Sequence, residues 1–171
     1  MRIRVAALLV GLGLPAAAQP VLNVGTGGAF TSMDPHYHNY GPNNVLTSYV
    51  FDPLVRFDRK YQPEPSLAES WRIVDDTTWE FKLRPGVKFH DGTPLTADDI
   101  AFSYARVPLV ANSPGSFTFA TKGIDRIETV DPLTVRLHTT TPLPLLAYNL
   151  SNVRIVSHKP ERMQPPPITT P

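Results

Sequence analysis

The stretch Thr78–Arg106, TWEFKLRPGVKFHDGTPLTADDIAFSYAR, carries a two-residue repeat and then a helical one, joined by tight turns. Trp79, Phe81 and Leu83 alternate with Glu80, Lys82 and Arg84, the pattern of a strand that buries one face. Arg84-Pro85-Gly86-Val87 follows, with proline where φ near about −65° is wanted and glycine where φ must be positive, as a type II turn requires. Val87 and Phe89 are expected to return on the buried face, making a hairpin from Trp79 to Phe89, with Asp91-Gly92 as the next turn. Thr96 then caps a helix over Ala97–Arg106. Asp99 is placed to reach back to the cap, and Asp98 and Asp99 complement the positive helix end. Ala97, Ile100, Ala101 and Tyr104 form its inward stripe.

The same reading extends outward from this stretch. Ile127–Val130, the Asp131-Pro132 turn and Leu133–Leu137 predict a second hairpin, in which Leu133, Val135 and Leu137 alternate with Thr134, Arg136 and His138. Asn43 after Pro42 predicts a helix start, and Val45, Leu46, Tyr49 and Val50 share a face. Asp52-Pro53 ends that helix, because the residue before proline is pushed out of the helical region. Val55–Phe57 reads as a strand, Pro63 and Pro65 as a rigid link, Leu143–Leu150 as a short helix and Val153–Val156 as a last strand. The class is α+β with a mostly antiparallel sheet.

The ends of the chain carry different information. Arg2 and Arg4 precede an apolar run, Val5–Leu14, that is shorter than the roughly 18 residues of a membrane span. Pro15 breaks the run and Ala16-Ala17-Ala18 supplies small residues, so residues 1–18 read as a secretory signal peptide cleaved after Ala18. Loss of Arg2 and Arg4 turns a net charge of +1 into −1, and with no basic run the chain offers no electrostatic case for nucleic acid. No later segment is apolar enough to be embedded in a membrane. The sequence has no cysteine, so neither a disulfide framework nor a lipid-anchored N-terminal cysteine is expected. It has 19 prolines, which imply short elements joined by fixed turns. Residues 158–171 are rich in proline and lack apolar periodicity, and are expected to be a disordered tail.

The glycines Gly25, Gly27 and Gly28 suggest a phosphate cradle, but position 30 is Phe and Pro35 arrives where the helix would have to run. A secreted hydrolase finds no support either. There is no Gly-x-Ser-x-Gly elbow, no cysteine nucleophile and no zinc-binding helix motif, and the carboxylates already have work in turns and caps. No enzyme activity and no cofactor are expected.

Five strings follow one another in order: MDPHYH from Met33, VFDPLVRFD from Val50, PEPSLAESWRI from Pro63, the Thr78–Arg106 stretch, and ETVDPLTVRLHTTTPLP from Glu128. Together they resemble the N-terminal third of the extracytoplasmic solute-binding proteins of family 5, the oligopeptide-, dipeptide- and nickel-binding components of ABC importers. The resemblance covers Val21–Val156. It implies a partial lobe of the class II periplasmic binding-protein fold. Residues 19–42 would be the first strand and cleft loop of lobe one, and 43–157 an inserted α+β subdomain. It also implies a periplasmic location, a small solute such as a peptide as ligand, and an inner-membrane ABC permease as partner. A chain of this length would lack the rest of lobe one and all of lobe two, so the expectation is a truncated binding protein or a non-functional remnant of one.

By that resemblance, Met33, His36, His38, Tyr40 and Asn43 are the candidate solute contacts, since they fall in the loop that approaches the ligand in the family. Tyr and His offer a flat apolar face with a polar tip, which suits a peptide backbone or a chelated metal. The spacing of His36 and His38 would put both rings on one side of an extended chain, yet two ligands do not make a metal site. No metal site is expected, and solvent-exposed loop histidines are the default reading. His90, His138 and His158 have no partner that the sequence identifies.

Overall fold

The computed structural model describes residues 25–159. The expected signal peptide, residues 19–24 of the expected first strand and cleft loop, and the tail beyond Lys159 lie outside the described residues. Helix α1 (Gly41–Ser48) comes first, then strands β1 (Val55–Phe57), β2 (Pro63–Pro65), β3 (Ala68–Asp75) and β4 (Thr78–Leu83). Helix α2 (Ala97–Arg106) runs into a 3₁₀ turn at Val107–Leu109, followed by α3 (Thr118–Thr121), β5 (Ile124–Asp131), β6 (Thr134–Thr139) and α4 (Leu146–Leu150).

Two antiparallel sheets result, a two-stranded β1–β2 ribbon and a four-stranded sheet in the order β3-β4-β6-β5. Strand β4 sits at the centre because one face of it is apolar throughout. Trp79, Phe81 and Leu83 are buried, and Val135 and Leu137 of β6 join them. Helix α2 lies across this face and adds Ala97, Ile100 and Tyr104, with Leu54, Leu146 and Leu150 closing the core. Burying such side chains stabilises the fold by roughly 1.5–3 kcal/mol each.

Helix α2 starts as its sequence predicts. Asp99 Oδ2 accepts from the Thr96 backbone N–H at 2.9 Å and from the Thr96 hydroxyl at 3.1 Å. The second hairpin also forms, with β5 and β6 in register from Ile127↔Leu137 to Thr129↔Val135. Gly86 takes φ +76°, as the type II turn demands.

The hairpin from Trp79 to Phe89 does not form. Strand β4 has β3 on one side and β6 on the other, so no edge is left for Val87–Phe89. That segment closes on itself instead, through Phe89 N–H to the Thr93 carbonyl and Leu95 N–H to the Val87 carbonyl. Val87 and Phe89 still pack half-buried against the core. The partner that sequence reading missed is β3. Its Trp71 and Ile73 face Phe81 and Trp79 across the pair, and the Asp75 carboxylate closes the turn by accepting from the Thr77 N–H at 2.9 Å.

Three further expectations change. Pro63–Pro65 is not only a link: it pairs with Val55–Phe57, and Arg56 Nε meets Glu64 Oε1 at 2.7 Å across that ribbon. Val153–Val156 makes no strand, only the single bridge Pro53↔Arg154. Helix α1 is turned around relative to its apolar pattern: Asn43 and Thr47 are buried, while Val45 and Tyr49 are exposed. Asn43 is not its cap, because the helix starts at Gly41 and Asn43 is spent inward on Thr31.

The outer face of the four-stranded sheet is held by charge. Arg72, Glu80, Arg136 and Glu128 stand side by side in register across all four strands, alternating in sign. Glu80 Oε1 accepts from Arg72 and Oε2 from Arg136, each at 2.8 Å, so this carboxylate is buried between two guanidinium groups. Those hydrogen bonds hold it below the usual carboxylate range. His138 extends the network, with Nε2 at 2.9 Å from Glu128 and Nδ1 at 3.2 Å from the Thr78 hydroxyl.

Candidate functional site

The loop from Thr31 to Tyr40 is shaped by its own short side chains. Ser32 Oγ accepts from the Asp34 N–H, and Asp34 Oδ1 accepts from the His36 N–H, each at 3.0 Å. These contacts make a tight turn around Pro35 of the kind Asp and Ser favour. The turn aims Asp34 and His36 at the end of α2. Arg106 forks onto Asp34, NH1 to Oδ1 at 3.0 Å and NH2 to Oδ2, and its NH1 also lies 2.9 Å from His36 Nδ1.

His36 is thereby fixed in one tautomer. Nδ1 faces a guanidinium, so it accepts, and the proton sits on Nε2, which donates to the Arg154 carbonyl at 2.7 Å. Burial pushes its pKa below the ordinary histidine value, and the charge of Arg106 acts in the same direction against the Arg154 hydrogen bond and Asp34. Burial pushes the Asp34 carboxyl up, but the Arg106 hydrogen bonds and charge with the His36 N–H outweigh it, and the net shift is downward. His36 is only 1% exposed, which corrects the expectation of a solvated loop histidine.

The remaining candidates divide by side. Asn43 is buried and locks the loop's beginning, accepting from the Thr31 N–H at 3.0 Å and donating to Thr31 Oγ1 at 2.8 Å. His38 lies half-buried, 2.9 Å from that same hydroxyl, and stacks on Tyr40 with ring centroids 5.2 Å apart. Its backbone bridges Gly115, where an added Cβ would crowd the His38 ring. Met33 and Tyr40 are exposed. Thus Met33, His38 and Tyr40 are accessible, whereas His36 and Asn43 hold the loop from beneath. The two histidine rings take different partners and do not converge.

Beside this loop is a recess of about 140 Å³. Pro35 lines it from the loop, Asn44 and Thr47 from α1, Phe117 from the start of α3, and Ser151, Asn152 and Arg154 from the segment after α4. Sequence reading missed these residues, because they come from four separate places in the chain. The Arg154 guanidinium is partly buried. Burial lowers its pKa, the charge of Asp52 opposes this, and no carboxylate among the described residues lies within salt-bridge distance of it.

A larger hollow of about 490 Å³ runs between α2 and β5, lined by Ala101, Phe102, Pro108 and Ile127 among others. Its guanidinium, Arg126, is already engaged with His138 and Glu128. Below it, the buried Tyr104 hydroxyl has no hydrogen-bond partner. The small recess is the better candidate, since it combines an apolar wall with an uncommitted charge.

Polar side chains of α2 tie chain segments together. Asp99 Oδ1 holds the His158 N–H and ring, Ser103 Oγ bonds the Val156 carbonyl and N–H, and Arg106 holds the loop. Fold and site together give an α+β module with a polar recess on its surface. The family model for bacterial extracellular solute-binding proteins, family 5 (Middle), matches residues 62–170, and the chain belongs to this family. The family is one of solute-binding proteins.

Relatives agree. The glutathione-binding protein GsiB of Pectobacterium atrosepticum is 32% identical over 157 residues, 91% of this chain and 30% of that protein. The uncharacterized protein YhjP of Bacillus subtilis is 33% identical over 126 residues, 73% of this chain and 22% of that protein. Among solved structures, NikZ from Campylobacter jejuni in complex with Ni(L-His) superposes with a TM-score of 0.65 at 28% identity, covering 78% of this chain and 27% of that one. The chain therefore spans about a fifth to a third of the length of the relatives it matches. These neighbours share the class II periplasmic binding-protein fold, of which the antiparallel sheets and short helices here are a part. No helix among the described residues is long and apolar enough to cross a membrane.

Proposed function

We propose that this chain forms one wall of the solute-binding cleft of a periplasmic receptor that delivers small solutes, peptides first among them, to an inner-membrane ABC permease. The observation that carries this reading is the recess between the loop around Pro35, helix α1 and the Ser151–Arg154 segment, lined by Phe117 and by Arg154, which makes no salt bridge among the described residues. Family membership supports the class of function, and the glutathione-binding relative supports a peptide-like solute. Residues 1–18 are proposed as the export signal, cleaved after Ala18. Residues 19–42 are proposed as the cleft-side segment and 43–157 as the subdomain it is fastened to. Capture would proceed by closure of a second wall around the solute, with no covalent step.

Within that reading, Met33, His38 and Tyr40 are proposed as direct contacts, because their side chains reach solvent. His36 and Asn43 act beneath them by fixing the loop. A concave site needs walls on both sides to exclude water, so a single wall holds solute weakly.

A chimera tests the proposal. Residues 25–159 replace the matching stretch of the P. atrosepticum glutathione-binding protein, and binding of labelled glutathione and of a mixed tripeptide pool is measured. Saturable binding of either is expected. A chimera that unfolds cooperatively yet binds neither would remove the cleft-wall reading.

A further inference from the structure

The charge row on the outer sheet face stops at a free edge. It runs Arg72, Glu80, Arg136, Glu128 across β3, β4, β6 and β5, and β5 is the last strand of its sheet. No strand among the described residues pairs with the far side of β5. Such an edge presents N–H and C=O groups to any extended segment that can lie beside it.

The residues of β5 select one such segment. Its pairing to β6 is regular from Arg126 to Thr129, with a register shift on either side. When a second copy of β5 is laid antiparallel about Ile127, that residue faces itself. Arg126 then stands opposite Glu128 of the copy, and Glu128 opposite Arg126 of the copy. Both acid–base pairs fall on the outer face, where Arg126 and Glu128 already stand opposite His138 and Arg136. Arg126 of the copy thereby continues the alternating row by one more charge. Within one chain Arg126 reaches Glu128 at only 3.8 Å, and its side chain stays 61% exposed. The other edge strand lacks this property. The regular stretch of β3, Ser70–Ile73, holds a single charge, Arg72, so no antiparallel self-pairing of it sets acid against base.

The opposite face of the same edge is unfilled. The hollow of about 490 Å³ between α2 and β5 has apolar walls in Ala101, Phe102, Pro108 and Ile127. The turn after α2 and helix α3, which line it through Pro108 and Thr121, also expose Leu109 and Phe119. Two copies joined at Ile127 bring their two hollows together on one face of the seam, where each covers the other.

We infer that β5 is the seam of a two-fold dimer of this chain, in which the two four-stranded sheets join into one sheet of eight strands. A two-fold contact uses the same patch twice, so each favourable pair occurs twice. The ion pairs fix the register, since exposed pairs add little affinity. The edge hydrogen bonds and the covered hollows hold the copies together.

Sedimentation equilibrium of the full chain tests this, with a concentration-dependent mass approaching twice that of one chain expected. Arg126→Glu and Glu128→Arg each set like charges across the seam and should weaken association about tenfold or more. Mixing the two variants should restore it, because every facing pair is again acid against base. Two variants that had merely misfolded would not rescue each other. Cysteine reads the register, since the chain has none of its own. Ile127→Cys should crosslink to itself on mild oxidation, as facing strand residues lie within disulfide reach, whereas Ile73→Cys on β3 should not. This readout decides the matter if the charge variants fail to fold. A monomer at every concentration up to millimolar overturns the inference. So does a dimer that neither charge reversal weakens, or Ile73→Cys crosslinking as readily as Ile127→Cys.

Discussion

The ring of His36 donates its Nε2–H to the carbonyl of Arg154 at 2.7 Å, a bond that spans 118 residues of chain. It joins the loop that lines the recess to the segment that supplies its charge. Because Nδ1 of the same ring accepts from Arg106, a second proton would set N–H against N–H.

This arrangement gives a signed pH dependence. The folded pKa of His36 lies below its ordinary 6.5, so as pH falls through that value the unfolded chain binds the proton first and stability declines. The decline levels off once the folded pKa is passed. Asp34 is depressed below 3.8, so its contribution persists through this window and is lost only at lower pH. Unfolding midpoints in urea should drop between pH 7 and pH 5. The drop should be shallower in His36→Gln, whose amide can still donate to the carbonyl. Parallel curves would show that other groups carry the effect.

Asp99 joins the start of α2 to the segment after α4, accepting from the N–H and hydroxyl of Thr96 and from the N–H and ring of His158. Asp99→Ala breaks the capping box and strands part-buried donors, for an expected loss of about 1–3 kcal/mol. Asp99→Asn, of the same shape, should lose less. Equal losses in urea denaturation would mean that packing and not charge matters here.

The charge ladder on the outer sheet face makes an ordered prediction. Arg72 is exposed and touches one carboxylate, so Arg72→Met should cost less than about 1 kcal/mol. Arg136 lies between Glu80 and Glu128, and Arg136→Met should cost more. A double-mutant cycle with Glu80→Gln measures the coupling. Independent, additive effects would show that the ladder is only geometric.

The buried hydroxyl of Tyr104 lacks a partner and burial pushes its pKa far up. Tyr104→Phe should therefore be neutral or stabilising, by up to about 1 kcal/mol, since it removes a desolvated donor without opening a cavity. A clear loss in melting temperature would reveal a partner for that oxygen.

Periodicity exposed helix α2, its cap and the β5–β6 hairpin because each is a local pattern that the core simply accepts. It misled at β4, where alternation shows that a strand is half-buried but not which neighbour it pairs with. It misled also at α1. There Val45 and Tyr49 mark an apolar face that the described residues leave exposed, and the inward positions belong to Asn43 and Thr47. The loop candidates were visible as a string, but the division between accessible Met33, His38 and Tyr40 and inward His36 and Asn43 depends on Arg106 and Arg154, distant in sequence. For the same reason the recess could not be read from the chain: Pro35, Thr47, Phe117 and Arg154 meet only in three dimensions.

The central claim is that the surface around Pro35, α1 and Arg154 meets solute. Amide chemical-shift mapping of the full labelled chain during titration with a mixed tripeptide pool tests it most directly, since it detects even weak contact and says where it occurs. The account predicts saturable shifts gathered on Asn44, Thr47, Phe117, Asn152 and Arg154, with Met33, His38 and Tyr40 at their margin. Shifts gathered instead along α2 and β5, or none at millimolar peptide, would contradict it.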